Sequence, residues 1–253
     1  MERGEYERMH EVEARMWWFR CLHRNLIRIW HEAGHAKGGF VLDAGCGTGG
    51  LLAFLGGLPD KNGGDFRVGI DRDKLACEFA RSKGATVAPI SIARASIDAL
   101  PFSSGVFDTV FSADVLCHDG VDQQAALLEM RRCLKPGGLL VLNLPAYRWL
   151  FSAHDRAVAN ARRYGREEVV ELLAASGFTG IRTSYWNTLL FPLMVARRKL
   201  GRGAASDVTL LPAPFEGLFN LIATAESGLL SWLLAWGLRL PFGGSILAAG
   251  MKP

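Results

Sequence analysis

Val41-Leu42-Asp43-Ala44-Gly45-Cys46-Gly47-Thr48-Gly49-Gly50 is the stretch on which the fold turns. Phe40 to Leu42 is a short apolar run that predicts a buried strand. It ends at Asp43, glycines follow at Gly45, Gly47 and Gly49, and Leu51-Leu52-Ala53-Phe54-Leu55 opens a helix. Strand, glycine turn and helix form the first half of a βαβ nucleotide site. Glycine is needed where a ligand lies against bare backbone, or where a turn uses angles that other residues avoid. The helix start then offers unpaired backbone N–H groups. A plain strand-to-helix turn gives no packing reason for so dense a run of glycine, which costs backbone entropy.

Two ligand classes could use such a loop. Gly45, Gly47 and Gly50 fit G-x-G-x-x-G, the dinucleotide fingerprint. Asp43 argues against it, because a carboxylate at the mouth of the loop repels a pyrophosphate. S-adenosylmethionine (SAM) carries an ammonium and a sulfonium instead, and there a carboxylate is favourable. The stretch resembles the first motif of the class I SAM-dependent methyltransferases, an acidic residue, one spacer, then Gly-x-Gly-x-Gly.

Composition narrows the rest. The chain has 253 residues, 49% of them hydrophobic, enough for one α/β domain with additions. Net charge is +4 and the basic residues are scattered, so nucleic acid is not an expected partner. Five cysteines, Cys21, Cys46, Cys77, Cys117 and Cys133, form no C-x-x-C pair. That argues against a disulfide framework and a zinc site, and for a cytoplasmic setting. No metal is expected. Met1 to Arg15 is charged and does not read as a signal peptide. Ser227 to Leu238, the longest uncharged apolar stretch near the C-terminus, is shorter than the ~20 residues a bilayer-spanning helix needs.

Strands are predicted at 39–43, 66–70, 90–95, 106–113, 139–144, 178–186 and 245–251, alternating with helices over most of the chain. Asp71, about 20 residues beyond the glycine loop, ends the second strand with Arg72 beside it. A carboxylate at that spacing can accept both ribose hydroxyls; it can equally cap the helix beginning near Asp73. The fourth strand delivers Ser112-Ala113-Asp114 and then His118 to the C-terminal edge, where open α/β sheets bind ligands. Pro145 to Arg163 is a long loop over that edge, with Tyr147, His154 and Asp155; Tyr164 closes it.

Further segments carry the resemblance in order. Ser96-Ile97-Asp98-Ala99-Leu100-Pro101-Phe102 before Phe107-Asp108 is similar to the family's "G-D-A-x-x-L-P-F … F-D". Ser96 stands where the family has the acid that reaches adenine, so Ser96 or the Ile97 backbone would supply that contact. Ser112 to His118 resembles "S-x-x-V-L-x-H", and Leu134-Lys135-Pro136-Gly137-Gly138 precedes an apolar strand as in the family. Where the family often has "H-x-R-R-Y", this chain has Asn160-Ala161-Arg162-Arg163-Tyr164. The likeness covers roughly residues 40–178 and points to the ubiquinone/menaquinone-methyltransferase-like subgroup. It implies a Rossmann-like, seven-stranded, mostly parallel sheet with an antiparallel last strand, expected to pair with strand six at the edge. It also implies SAM as cofactor, S-adenosylhomocysteine as product, and cofactor contacts at Asp43, Gly45, Cys46, Gly47, Gly49, Asp71, Arg72, Ser96, Ile97, Ser112, Ala113 and Asp114.

In methyl transfer the protein mainly positions an acceptor and removes its proton. His118 and His154 are the candidate bases; each could instead merely line the site or contact a loop. Trp17, Trp18, Tyr147, Asp155 and Tyr164 are candidate acceptor contacts. A SAM enzyme with different chemistry, or a non-catalytic SAM-binding protein, would share the cofactor motifs. The expected organisation is an N-terminal helical cap at 1–37, a core at 38–187, a helical insertion at 188–243 and a final core strand at 244–253. The insertion's second helix is apolar around most of its circumference, so one side needs a partner. A small, apolar or lipid-like acceptor, a homodimer or peripheral membrane contact through the 188–240 helices would each supply cover, as would packing on Trp17 and Trp18.

Overall fold

The computed structural model describes residues 2–34, 39–58, 66–87, 90–200 and 207–253. The predicted polar loop at 59–65, Gly38 and the start of the linker at Ser206 lie outside the described residues. The elements run α1 (Arg3–Val12), α2 (Trp17–Glu32), β1 (Phe40–Ala44), α3 (Gly50–Gly56), β2 (Phe66–Asp71), α4 (Lys74–Val87), β3 (Ile90–Arg94) and β4 (Phe107–Ala113). They continue with α5 (Gln123–Cys133), β5 (Leu134–Pro145), α6 (Ala153–Ala157), α7 (Arg166–Ala175), β6 (Thr179–Trp186), α8 (Phe191–Leu200), α9 (Ala213–Ala235) and β7 (Ser245–Met251).

Seven strands form one sheet in the order β3-β2-β1-β4-β5-β7-β6. Pairings β1–β2, β1–β4, β2–β3 and β4–β5 are parallel, and β7 is antiparallel to both its neighbours. The expectation that the last strand lies at the edge is corrected. β7 is inserted between β5 and β6, so Leu247 pairs with Asn143 on one side and Ser184 on the other. All its residues but Met251 are accordingly buried, as a central strand requires.

Chain order reverses between β1 and β4, which opens a crevice at the C-terminal ends of those strands. Helix α2 is tied into the core. Leu22, Leu26 and Trp30 share one face at helical spacing and are buried, and the Trp30 indole donates to Thr109 Oγ1 of β4 at 2.9 Å. The helix also packs on α9, and so supplies the N-terminal cover anticipated as one option for that apolar helix. Pro192 does not interrupt α8. It lies in the first turn, where its missing N–H has no intrahelical partner to lose. The loop predicted at 145–163 contains the short helix α6, where Asp155 Oδ2 reaches back to accept the Ser152 N–H at 2.9 Å and the Ser152 hydroxyl at 3.1 Å.

Candidate active site

The glycine loop is built by backbone necessity. Gly45, Gly47 and Gly49 have φ of +90°, +50° and +84°. A Cβ at Gly45 would lie 2.3 Å from Val115 Cγ2, and one at Gly49 would lie 2.9 Å from Ala80 Cα. Gly45 and Cys46 donate their N–H groups to Ile70 O at 2.9 and 2.8 Å, which ties the loop to the end of β2. Gly47 donates to Asp71 Oδ2 at 3.0 Å. Asp71 Oδ1 accepts from Asp73 N–H at 2.8 Å. The cap of α4 is therefore Asp73, whose Oδ1 accepts from Leu75 and Ala76 N–H, and Asp71 is left to face the crevice.

Above this edge lies a cavity of about 680 Å³. Asp43, Gly45, Cys46 and Gly47 line it, as do Asp71 and Arg72, Ser96 and Ile97, and Ala113 and Asp114. Gly49 and Ser112 do not. Gly49 is turned to α4, and the Ser112 hydroxyl donates to Ala44 O at 2.8 Å, so both shape the wall from behind.

Three carboxylates dominate the charge of this wall. Burial, with the neighbouring Asp71 charge added, pushes the Asp43 carboxyl up to about 7. Burial raises Asp114 to about 7 despite the hydrogen bond from Asn143, and it raises Asp71 as well. None of the three forms an ion pair among the described residues. A pocket wall with one buried and two partly exposed carboxylates, none ion-paired among the described residues, favours a cationic ligand and disfavours a pyrophosphate. The residues thus fit SAM, whose ammonium and sulfonium supply the missing positive charge.

The second wall comes from the helices. Trp17 and Trp18 line the cavity from α2, and Trp17 meets Phe219 of α9 edge-on at 5.7 Å. Leu190, Leu193, Met194 and Leu211 continue this apolar side. Polar and charged groups share this side: His118, His154, Asn160, Asn187 and Ser245, and the cluster Arg163, Arg197, Arg198 and Asp207. Burial lowers His118 to about 4, assisted by the Arg72 charge, so its imidazole is neutral at pH 7. His154 is held differently. Its Nδ1 accepts the Asp207 N–H at 3.0 Å, so in the neutral ring the proton sits on Nε2, which can donate but not accept.

Three of the five anticipated acceptor contacts are corrected. Asp155 is wholly buried outside the cavity, accepting from Arg163, Asn160 and the Ser152 N–H, with Arg198 at 3.4 Å. Tyr164 is wholly buried too, and its hydroxyl donates to Leu116 O at 2.8 Å. Tyr147 stacks on Tyr185 with ring centres 5.2 Å apart and lies off the cavity. Each carries polar atoms that a sequence cannot distinguish from ligand contacts. The partners lie 3 to 48 residues away in sequence. The cavity also takes Tyr6, Met9, Glu13 and His23, none of which sequence reasoning singled out. Their helical positions look like ordinary packing; the docking of α1, with Met9 over Gly47, brings Tyr6, Met9 and Glu13 to the site, and α2 brings His23.

Residues 42–142 match the model of a methyltransferase domain. A protein of Encephalitozoon cuniculi named as a methyltransferase is 30% identical over 181 residues, covering 62% of this chain and 78% of that one. The chain belongs to the class I SAM-dependent methyltransferases. The methyltransferase YodH of Bacillus subtilis is 37% identical over 103 residues, 40% of this chain and 41% of YodH, so the match spans about two fifths of that relative's length. Among solved structures, Haemonchus contortus phosphoethanolamine N-methyltransferase 2 in complex with SAM shares the fold, with a TM-score of 0.58 at 19% identity, covering 90% of this chain and 52% of that one. The methyltransferase assignment makes SAM the cofactor for which the carboxylate-rich wall is suited.

Proposed function

We propose that this methyltransferase acts on a small, apolar or lipid-like acceptor held between the glycine loop and the walls of α2, α8 and α9. One observation carries the reading. A single cavity joins three unpaired carboxylates on the sheet edge to a chamber of Trp17, Trp18, Phe219, Leu190 and Met194. A carboxylate-rich end suits the cofactor, and the apolar surface of this chamber suits an acceptor whose body is held by area burial, worth about 25 cal/mol per Å², with Arg163, Arg197 and Arg198 beside it for a polar end.

In this reading Asp43 and the Gly45–Gly47 backbone hold the amino-acid end of SAM, Asp71 accepts the ribose hydroxyls, and Ser96 and Ile97 meet the adenine. Asp114 completes the negative wall. SAM supplies the activated methyl group. The chain's own residues orient the acceptor, exclude water and take a proton. His118 is the candidate base, because it is neutral at pH 7 and its ring is not fixed as a donor as that of His154 is. His154 Nε2 serves as a donor that orients an acceptor oxygen. The five buried thiols support a cytoplasmic setting.

The test is transfer from labelled SAM to apolar and water-soluble fractions of a cell extract in parallel. Label that partitions into the organic phase is the expected result. Label confined to water-soluble product would sink the apolar acceptor while keeping methyl transfer.

A further inference from the structure

Helix α9 has two faces of different chemistry. The inner face packs on α2, where Arg24 donates to Asn220 Oδ1 at 2.9 Å and the Cys21 and Ser227 side chains lie 3.4 Å apart. Both acids of the helix are turned inward. Glu216 accepts the N–H groups of Trp17 and Leu211 at 2.9 Å. Glu226 accepts those of Thr188 and Leu189 at 2.9 and 2.8 Å.

What remains outside is apolar. Phe215, Leu218, Leu221, Leu229, Trp232 and Trp236 are 44–71% exposed, and no charged side chain is exposed between Ala213 and Trp236. The hydroxyl of Thr224 is turned back onto Asn220 O at 2.6 Å. So large an apolar strip marks an interaction surface. Helix α8 has exposed residues that also line the cavity. Leu193 is 53% exposed and also lines the cavity, and the exposed Arg197 does the same. Lys199 is exposed nearby, 5.4 Å over the ring of the exposed Trp149.

We propose that the outer face of α9, with the exposed side of α8, seats the protein on an anionic lipid bilayer so that the cavity mouth opens toward the acyl region. This rests on the apolar-acceptor reading, which it deepens by giving the acceptor a dry route in. The charge pattern favours this occupant: apolar and aromatic side chains fill the outer face, no carboxylate of α9 is exposed, and Lys199 and Arg197 stand on α8, Arg197 paired with Asp207. The exposed acid beside α9 is Glu32 of α2, which meets Ser231. A second copy fits less well, since a protein interface typically carries about ten directed hydrogen bonds and this face offers scarcely any partner for them. Residues 213–234 are long and apolar enough to cross a bilayer. The span includes Glu216 and Glu226, which break it into shorter uncharged stretches. The inner face is nevertheless committed to α2, so the helix lies along the surface.

The protein is floated with vesicles of phosphatidylcholine alone and of phosphatidylcholine mixed with phosphatidylglycerol, and SAM binding is followed by calorimetry in parallel. Flotation with the mixed vesicles is expected to exceed that with neutral ones about tenfold and to fall in high salt. The double variant Leu221→Glu/Trp232→Glu, altered only on the outer face, is expected to lose about tenfold in flotation at unchanged SAM affinity. A SAM-binding protein that ignores both vesicles overturns the proposal. So does a dimer in buffer that the double variant dissociates without any flotation, which would give the face to a second copy. Failure of the parent protein to bind SAM would instead strike the proposed function, and flotation would still read separately.

Discussion

Asn143 Nδ2 donates to Asp114 Oδ2 at 2.8 Å, joining the C-terminal ends of β5 and β4. Asp114 sits at φ +55°, an uncommon backbone angle for a non-glycine residue. Asn143 is itself oriented by Trp186, whose indole N–H donates to its Oδ1 at 2.7 Å. The inward-facing carboxylate is thus positioned by a chain of buried polar groups that spans three strands. Asn143→Leu would leave the Trp186 N–H buried without a partner, at a cost of ~1–3 kcal/mol. Urea denaturation should show that loss, and calorimetry should show weaker SAM binding. Unchanged SAM affinity in a destabilised variant would limit Asn143 to a folding role.

Asp71→Ala should weaken SAM binding by roughly 1.5–3 kcal/mol, the range for hydrogen bonds to a charged group. It should also loosen the glycine loop, because Gly47 N–H loses its acceptor. Asp71→Asn keeps one acceptor oxygen and should fall between the two. If Asp71→Ala binds SAM as the parent does, the ribose assignment is wrong.

The carboxylates give a signed pH dependence. Asp43 and Asp114 are raised from 3.8 to about 7 in the fold. Between about pH 4 and 7 the folded chain holds protons that the unfolded chain has released, so the ligand-free protein loses stability as pH rises through that window. A cationic ligand favours the ionised carboxylates, so SAM affinity should rise between about pH 6 and 8 with release of protons. Calorimetry in buffers of different ionisation enthalpy measures that release. Binding that is flat with pH and releases no protons would remove the carboxylates from the cofactor site.

His118→Ala is expected to lower turnover ~100- to 10,000-fold if the acceptor must lose a proton. Because burial lowers His118 to about 4, the acid limb of kcat at saturating SAM should lie well below that of an ordinary histidine near 6.5. His154→Gln should raise KM more than it lowers kcat, since its cavity-facing nitrogen is a donor. Near-normal turnover in His118→Ala would show that no base is needed or that another group provides it.

Asp155→Ala separates a structural residue from an acceptor contact. Removing this carboxylate leaves Arg163, which is almost wholly buried, without its counter-charge. Such losses typically cost ~3–5 kcal/mol. A large fall in melting temperature is expected, with KM nearly unchanged in the folded fraction. Full stability with a raised KM would return Asp155 to the acceptor site.

Much of this protein is legible in its sequence because the signals are local. The glycine loop must use left-handed backbone at Gly45, Gly47 and Gly49, and only glycine does so without strain. Strand ends carry Asp43, Asp71 and Asp114 to one edge by period and topology alone, so the negative wall is predictable from spacing. Tertiary structure decided what depends on distant partners. β7 sits between β5 and β6 because both of its edges find ladders, which its own seven residues do not announce. Tyr164 and Asp155 are consumed by buried partners, although their chemistry suits an acceptor equally well. The two acids of α9 reveal their direction only once Trp17, Leu211, Thr188 and Leu189 present N–H groups to them. A periodic pattern records how apolar a helix is. Which side is left bare follows from where the buried carboxylates find their donors, and that is a property of the packed fold.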